Sequence, residues 1–207
     1  VEDLAGNSSS VTSYEYKKPV ALDLDGDNQI SYLDQTAGVT YQFSDSSELV
    51  STAWVASNDG LLAHQESNGS LNIVFATQDG ETDLQGLAKV FDSNQDGILS
   101  SADSEFDTFG VWQDANSNAV VDAGEFSSLT DRGIVSLSLI SNGVASTAAN
   151  GDVLVYGQTE YAQANGNLGV AEDVAFITTS LPDPVPEPAL DIPVVGVVAD
   201  HAPAIIV

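Results

Sequence analysis

Three aspartate-rich stretches repeat one ligand spacing: DLDGDNQISYLD from Asp23 to Asp34, DSNQDGILSSAD from Asp92 to Asp103, and DANSNAVVDAGE from Asp114 to Glu125. Each carries a side-chain oxygen at its first, third and fifth positions and a carboxylate at its twelfth. An EF-hand-type loop uses these positions plus the backbone carbonyl of the seventh, because calcium takes six to eight hard oxygen ligands. Asp, Asn and Gly make ordinary turns on their own. Three repeats of one spacing are a stronger constraint, and they require the chain to fold around divalent cations.

The second loop fits best. Asp92, Asn94 and Asp96 supply side-chain oxygens, Gly97 makes the sharp turn, Ile98 offers its carbonyl and Asp103 closes. The third uses Asp114, Asn116, Asn118, the Val120 carbonyl and Glu125, with Ala119 where glycine normally relieves backbone strain. The first uses Asp23, Asp25, Asp27, the Gln29 carbonyl and Asp34, with Asn28 at the turn, a residue that tolerates left-handed geometry. Asp45 with Glu48, Asn58 with Asp59, and Glu66 to Asn68 read as plain hairpin turns that need no metal.

Charge supports the same conclusion. The chain has 4 Lys plus Arg against 31 Asp plus Glu, a formal charge of -27. A nucleic-acid groove needs a basic surface, so that class is excluded, and binding to anionic membranes is disfavoured. Self-repulsion of this size opposes compaction unless counter-charge is supplied. Folding is therefore expected to depend on Ca2+, at least three ions.

Cysteine and methionine are both absent, so no disulfide or thiol chemistry enters, and the chain reads as a segment of a longer protein. No run approaches the roughly 18 apolar residues of a membrane span, and the start lacks the charged and apolar regions of a signal peptide. Membrane insertion is not expected. A chain of 207 residues with 43% apolar content can bury one substantial core. His64 and His201 are the only imidazoles, and no nucleophile pattern accompanies them. Trp54, Trp112, Tyr156 and Tyr161 read first as core residues.

Four zones follow: 1–17 as an arm or linker, 18–180 as the body that carries the calcium-binding loops, 181–193 as a proline-rich linker, and 194–207 as an apolar tail or the start of a next domain. Within the body, short β segments dominate: 20–24, 39–43, 49–55, 60–64, 109–112 and 134–139, the last with Val135, Leu137 and Leu139 on one face. Asp152 to Gln163 and Gly169 to Thr179 form a hairpin around Asn165-Gly166. Helices are predicted over 82–91, 101–106 and 122–129, beside the second and third loops. These loops start 22 residues apart, at Asp92 and Asp114, which leaves too little chain for two full helix-loop-helix hands. The fold class is therefore α+β: a β-rich single domain with short helices flanking EF-hand-like calcium loops.

The stretches KPVALDLDGD, STAWVASNDGLLAH, KVFDSNQDGILSSADSEF and FGVWQDANSNAVVDAGEFSSLTDRGI resemble a calcium-binding module of very large secreted RTX proteins of Gram-negative bacteria. The likeness runs from Lys18 to Thr179. It is nearest to the calcium-dependent peptide-binding module of RTX adhesins, and it is related to the self-processing module of iron-regulated RTX proteins. The first branch implies a cell-surface module, monomeric within a longer chain, that takes peptide or protein C-termini on host or neighbouring cells. The second implies cleavage of an Asp-Pro bond at the module's N-terminal edge. Here Lys18 precedes Pro19. Lysine has no carboxyl to attack its own peptide carbonyl, so cleavage there is chemically excluded and no enzyme activity is expected. The Asp183–Pro184 pair lies at the opposite end.

Overall fold

The computed structural model describes residues 14–181. Residues 1–13 of the expected arm, the proline-rich linker beyond Leu181, the apolar tail, Asp183–Pro184 and His201 lie outside the described residues.

The chain forms β1 (Tyr14–Lys17), β2 (Val20–Leu22), β3 (Tyr32–Leu33), β4 (Thr40–Tyr41), β5 (Val50–Thr52), β6 (Trp54–Val55), β7 (Gly60–Gln65) and β8 (Leu71–Asn72). The helix α1 (Asp83–Val90) follows. After it come β9 (Ile98–Ser100), β10 (Phe109–Trp112), β11 (Phe126–Ser128), β12 (Ile134–Ser138), β13 (Ser146–Ala148), β14 (Val153–Gln163) and β15 (Leu168–Ser180). Thirteen strands make one antiparallel sheet, curled into a half-barrel, whose main path runs β11-β10-β7-β2-β15-β14-β12-β9. β3 and β6 pair separately.

β2 and β7 read as unbroken apolar runs because the sheet buries both of its faces. Side chains alternate along a strand. Val20, Leu22 and Leu62 enter a core with Leu84, Leu87, Phe109 and Val111. Ala21, Leu61 and Ala63 enter a second core with Trp54, Trp112, Val174 and Phe176. β1 and β2 share one register against β15, from Tyr14 opposite Thr179 to Leu22 opposite Ala171, unbroken across Lys18–Pro19. There the Val174 N–H donates to the Pro19 carbonyl at 3.1 Å. The last four residues of the segment read as an arm are thus a strand of the sheet.

The hairpin β14–β15 turns at the expected place, with Gly166 in the left-handed region at φ 88° and its N–H donating to the Gln163 carbonyl at 2.9 Å. α1 also forms as expected. Leu84 and Leu87 are buried, and the Thr82 N–H donates to the Gln85 side chain at 3.0 Å. Gly86 lets the helix lie against the backbone at Phe75, whose carbonyl an added methyl would overlap.

Three expectations are corrected. The segment 101–106 forms turns rather than a helix, ending in a single 3-10 turn at Phe106–Thr108, because the Asp103 carboxylate is turned back into the loop to accept the Ser93 and Ser100 N–H groups. The segment 122–129 is not helical either. Gly124 stands at φ 92°, outside helical geometry, and Phe126–Ser128 pairs with β10. No EF-hand helix pair flanks a loop among the described residues; the second loop is entered from α1, contains β9, and is followed by the 3-10 turn Phe106–Thr108. Third, a register shift between Ile134 and Ser136 turns Val135 outward, 45% exposed, while Leu137 and Leu139 stay buried.

Candidate metal centres

The three loops share one hydrogen-bond scheme. The first carboxylate accepts the N–H of the sixth residue in each: Asn28 to Asp23 at 2.8 Å, Gly97 to Asp92 at 2.8 Å and Ala119 to Asp114 at 2.7 Å. Third-position oxygens accept the fifth N–H, at 3.1 Å for Asp25, Asn94 and Asn116 alike. Fifth-position oxygens accept the seventh, with Gln29 donating to Asp27 at 2.8 Å, Ile98 to Asp96 at 2.9 Å and Val120 to Asn118 at 2.7 Å. The sixth residue is left-handed throughout, at φ 65° for Asn28, 79° for Gly97 and 55° for Ala119. Ala119 holds this conformation despite its Cβ, which carries a steric cost.

Closure differs between the loops. In the second, Asp103 accepts the N–H groups of Ser93 at 2.8 Å and Ser100 at 2.9 Å, the second and ninth positions. In the third, Glu125 accepts from Ala115 at 2.9 Å and Asp122 at 3.0 Å, the same two positions. In the first, the corresponding donors are Leu24 and Ser31, and both go to Asp59, at 3.3 and 2.8 Å. Asp34 instead caps the turn Gln35–Ala37 through the Thr36 N–H at 3.0 Å and takes the Asn150 amide at 2.7 Å. Sequence spacing could not find Asp59, which lies on a different segment and reads as a turn residue.

The electrostatics follow from this geometry. Asp23, Asp25 and Asp27 each bring an oxygen within 4.8 Å of the others. The Asn58 amide, then the Asp27 N–H, hold Asp25 below its ordinary value. Thr36 and Asn150 do the same for Asp34. Burial pulls Asp103 upward, but the Ser100 and Ser93 donors outweigh it and leave it lowered. Asp59 is pushed up to about 6, by burial first and also by the charges of Asp25 and Asp23, against the pull of the Ser31 and Leu24 N–H groups. The donor set is carboxylate, amide and carbonyl oxygen throughout, which suits calcium and not a thiolate- or imidazole-seeking metal.

A groove adjoins the third loop. Its volume is about 590 Å3, and it is lined by Tyr41, Gln42, Phe43, Ser44, Ser46, Gln65, Gly69, Ser70, Leu71, Val121 and Phe126. None of these is charged, in a chain of charge -27. Val121 belongs to the third loop, and Phe126 directly follows its closing Glu125. β11 and β8 contribute to this wall, and each pairs with a single neighbour. His64 sits elsewhere on β7, with Phe91 and Phe109 each 5.0 Å away. Trp54, Trp112 and Tyr161 are buried as expected.

A curled β-rich domain carrying three oxygen-lined loops is the class that this geometry defines. Residues 20–177 match the SPM domain family, and the chain belongs to it. It is 31% identical over 179 residues to the iron-regulated protein FrpA of Neisseria meningitidis serogroup C, an alignment covering 81% of this chain and 16% of that protein. The matched region contains all three loops. Among the described residues, no helix is long and apolar enough to cross a membrane.

Proposed function

We propose that this domain is a calcium-dependent peptide-binding module of a secreted RTX adhesin, taking the free C-terminus of a peptide or protein on host or neighbouring cells, and that it is not an enzyme. The observation that carries this reading is the uncharged groove beside the third loop. An acidic surface repels a free carboxylate, and Lys17, whose ammonium lies 5.8 Å from the Phe43 ring of the groove, is committed to Asp45 at 2.9 Å. Calcium held by Asp114, Asn116, Asn118, the Val120 carbonyl and Glu125 would supply the missing positive charge. Tyr41, Phe43, Leu71 and Phe126 offer apolar surface to side chains of an extended ligand, and the outer strand edges offer main-chain hydrogen bonds.

The test keeps calcium present and changes only the ligand. Peptides with free C-termini are expected to bind at least tenfold more tightly than their amidated forms, about 1.4 kcal/mol. Equal affinities would sink the carboxylate reading. Family membership also supports a second reading, a self-processing module that has lost its cleavage site through Lys18. A purely structural, calcium-rigidified spacer would bind neither peptide.

A further inference from the structure

We propose that the first loop is closed by Asp59 and not by Asp34, so that its cation site is assembled from two chain segments, Asp23 to Ser31 and the turn between β6 and β7. The inference rests on reading the loops as calcium sites. Two independent observations support it. Asp59 accepts from the second and ninth N–H groups of its loop, as Asp103 and Glu125 do in theirs. Moreover, Asp59 is 0% exposed and Asp23 is 1% exposed, and Leu24, the neighbour of Asp23, gives its N–H to Asp59. Burying anions together without a cation is costly, and a bound divalent ion removes that cost.

Asp34 is already occupied. Its carboxylate is divided between the Thr36 N–H and the Asn150 amide, on a turn that packs toward the Asp152 region: the Gln35 N–H donates to Asp152 at 3.0 Å. The Ala56–Gly60 turn, by contrast, grips the loop twice, through Asp59 and through the Asn58 amide to Asp25 at 2.8 Å.

Calcium titration calorimetry on the chelator-stripped chain separates the alternatives, with Asp25→Asn as the reference for loss of this site. Asp34→Asn is expected to take up as many ions as the wild type. Asp59→Asn is expected to lose one, or to bind it at least tenfold more weakly, as Asp25→Asn does. Loss of an ion in Asp34→Asn, or full uptake in Asp59→Asn, overturns the proposal. Should Asp59→Asn fail to fold, by circular dichroism, the Asp34→Asn stoichiometry decides alone. A wild type that takes up no calcium defeats the calcium reading itself, an outcome distinct from a wild type that binds normally while Asp34→Asn loses an ion.

Discussion

Trp54 donates its indole N–H to the carboxylate of Asp114 at 2.8 Å, and both side chains are 0% exposed. Asp114 is the first residue of the third loop, so a core tryptophan holds a candidate ligand in place. Trp54→Phe keeps an aromatic ring and removes the donor. Loss of a buried hydrogen bond to a charged group costs about 1.5–3 kcal/mol, and lost ring volume adds to it. Denaturant midpoints should fall accordingly, and calcium affinity should weaken at one site; an unchanged midpoint would refute the role.

Calcium should decide whether the chain is folded. Each ion that binds only the folded state contributes about 2.7 kcal/mol at a hundredfold excess over Kd. With roughly 2–4 °C per kcal/mol for a domain of this size, three sites shift the unfolding temperature by tens of degrees between calcium and chelator. Scanning calorimetry in both conditions checks this, and equal midpoints would remove the argument.

Asp173, on β15, gives the protein a pH dependence of its own. It is 1% exposed and lies against the N-terminus of α1. Burial raises it to about 6, against the opposing pull of the Thr82 hydroxyl, the Asp83 and Leu84 N–H groups and Lys18. Between the ordinary value of 3.8 and about 6, the folded protein holds a proton that the unfolded chain has released. This contribution to stability is fully present below the lower value and is lost as pH rises through the upper one. It amounts to about 3 kcal/mol. In saturating calcium, Asp173→Asn should therefore gain about 2 kcal/mol of this on the wild type between pH 4.5 and pH 7.5, the rest having gone below pH 4.5, read from denaturant midpoints. A constant difference across this range would count against it.

The Lys18–Pro19 bond should stay intact. Incubation with millimolar calcium at neutral pH is expected to leave a single mass, and a new terminus at Pro19 would show that a lysine can be cut where no side-chain carboxyl attacks.

Local patterns were legible in the sequence where local forces decide the outcome. The left-handed sixth positions, α1 with its Leu84 and Leu87 face, β10 and the Asn165-Gly166 hairpin all follow from short-range preferences. The helices expected at 101–106 and 122–129 do not form, because Asp103 and Glu125 bind loop N–H groups and β11 pairs across to β10. Those are long-range or side-chain-to-backbone contacts that no periodicity encodes. Asp34 met every spacing rule, yet its carboxylate takes the Thr36 N–H and the Asn150 amide. Asp59 met none of them, because the fold and not the order of residues brings it to Leu24 and Ser31.

The shared register of 14–22 against 171–179 sets how the domain would respond to force. Tyr14 and Thr179 stand side by side, so the chain enters and leaves at one corner of the sheet. Tension along a longer polypeptide would pass through that corner and peel the ladder one pair at a time, starting at Tyr14, instead of shearing it. The three aspartate-rich loops lie in the chain between β2 and β15, and they would be reached only after the pairs flanking Lys18–Pro19 had opened.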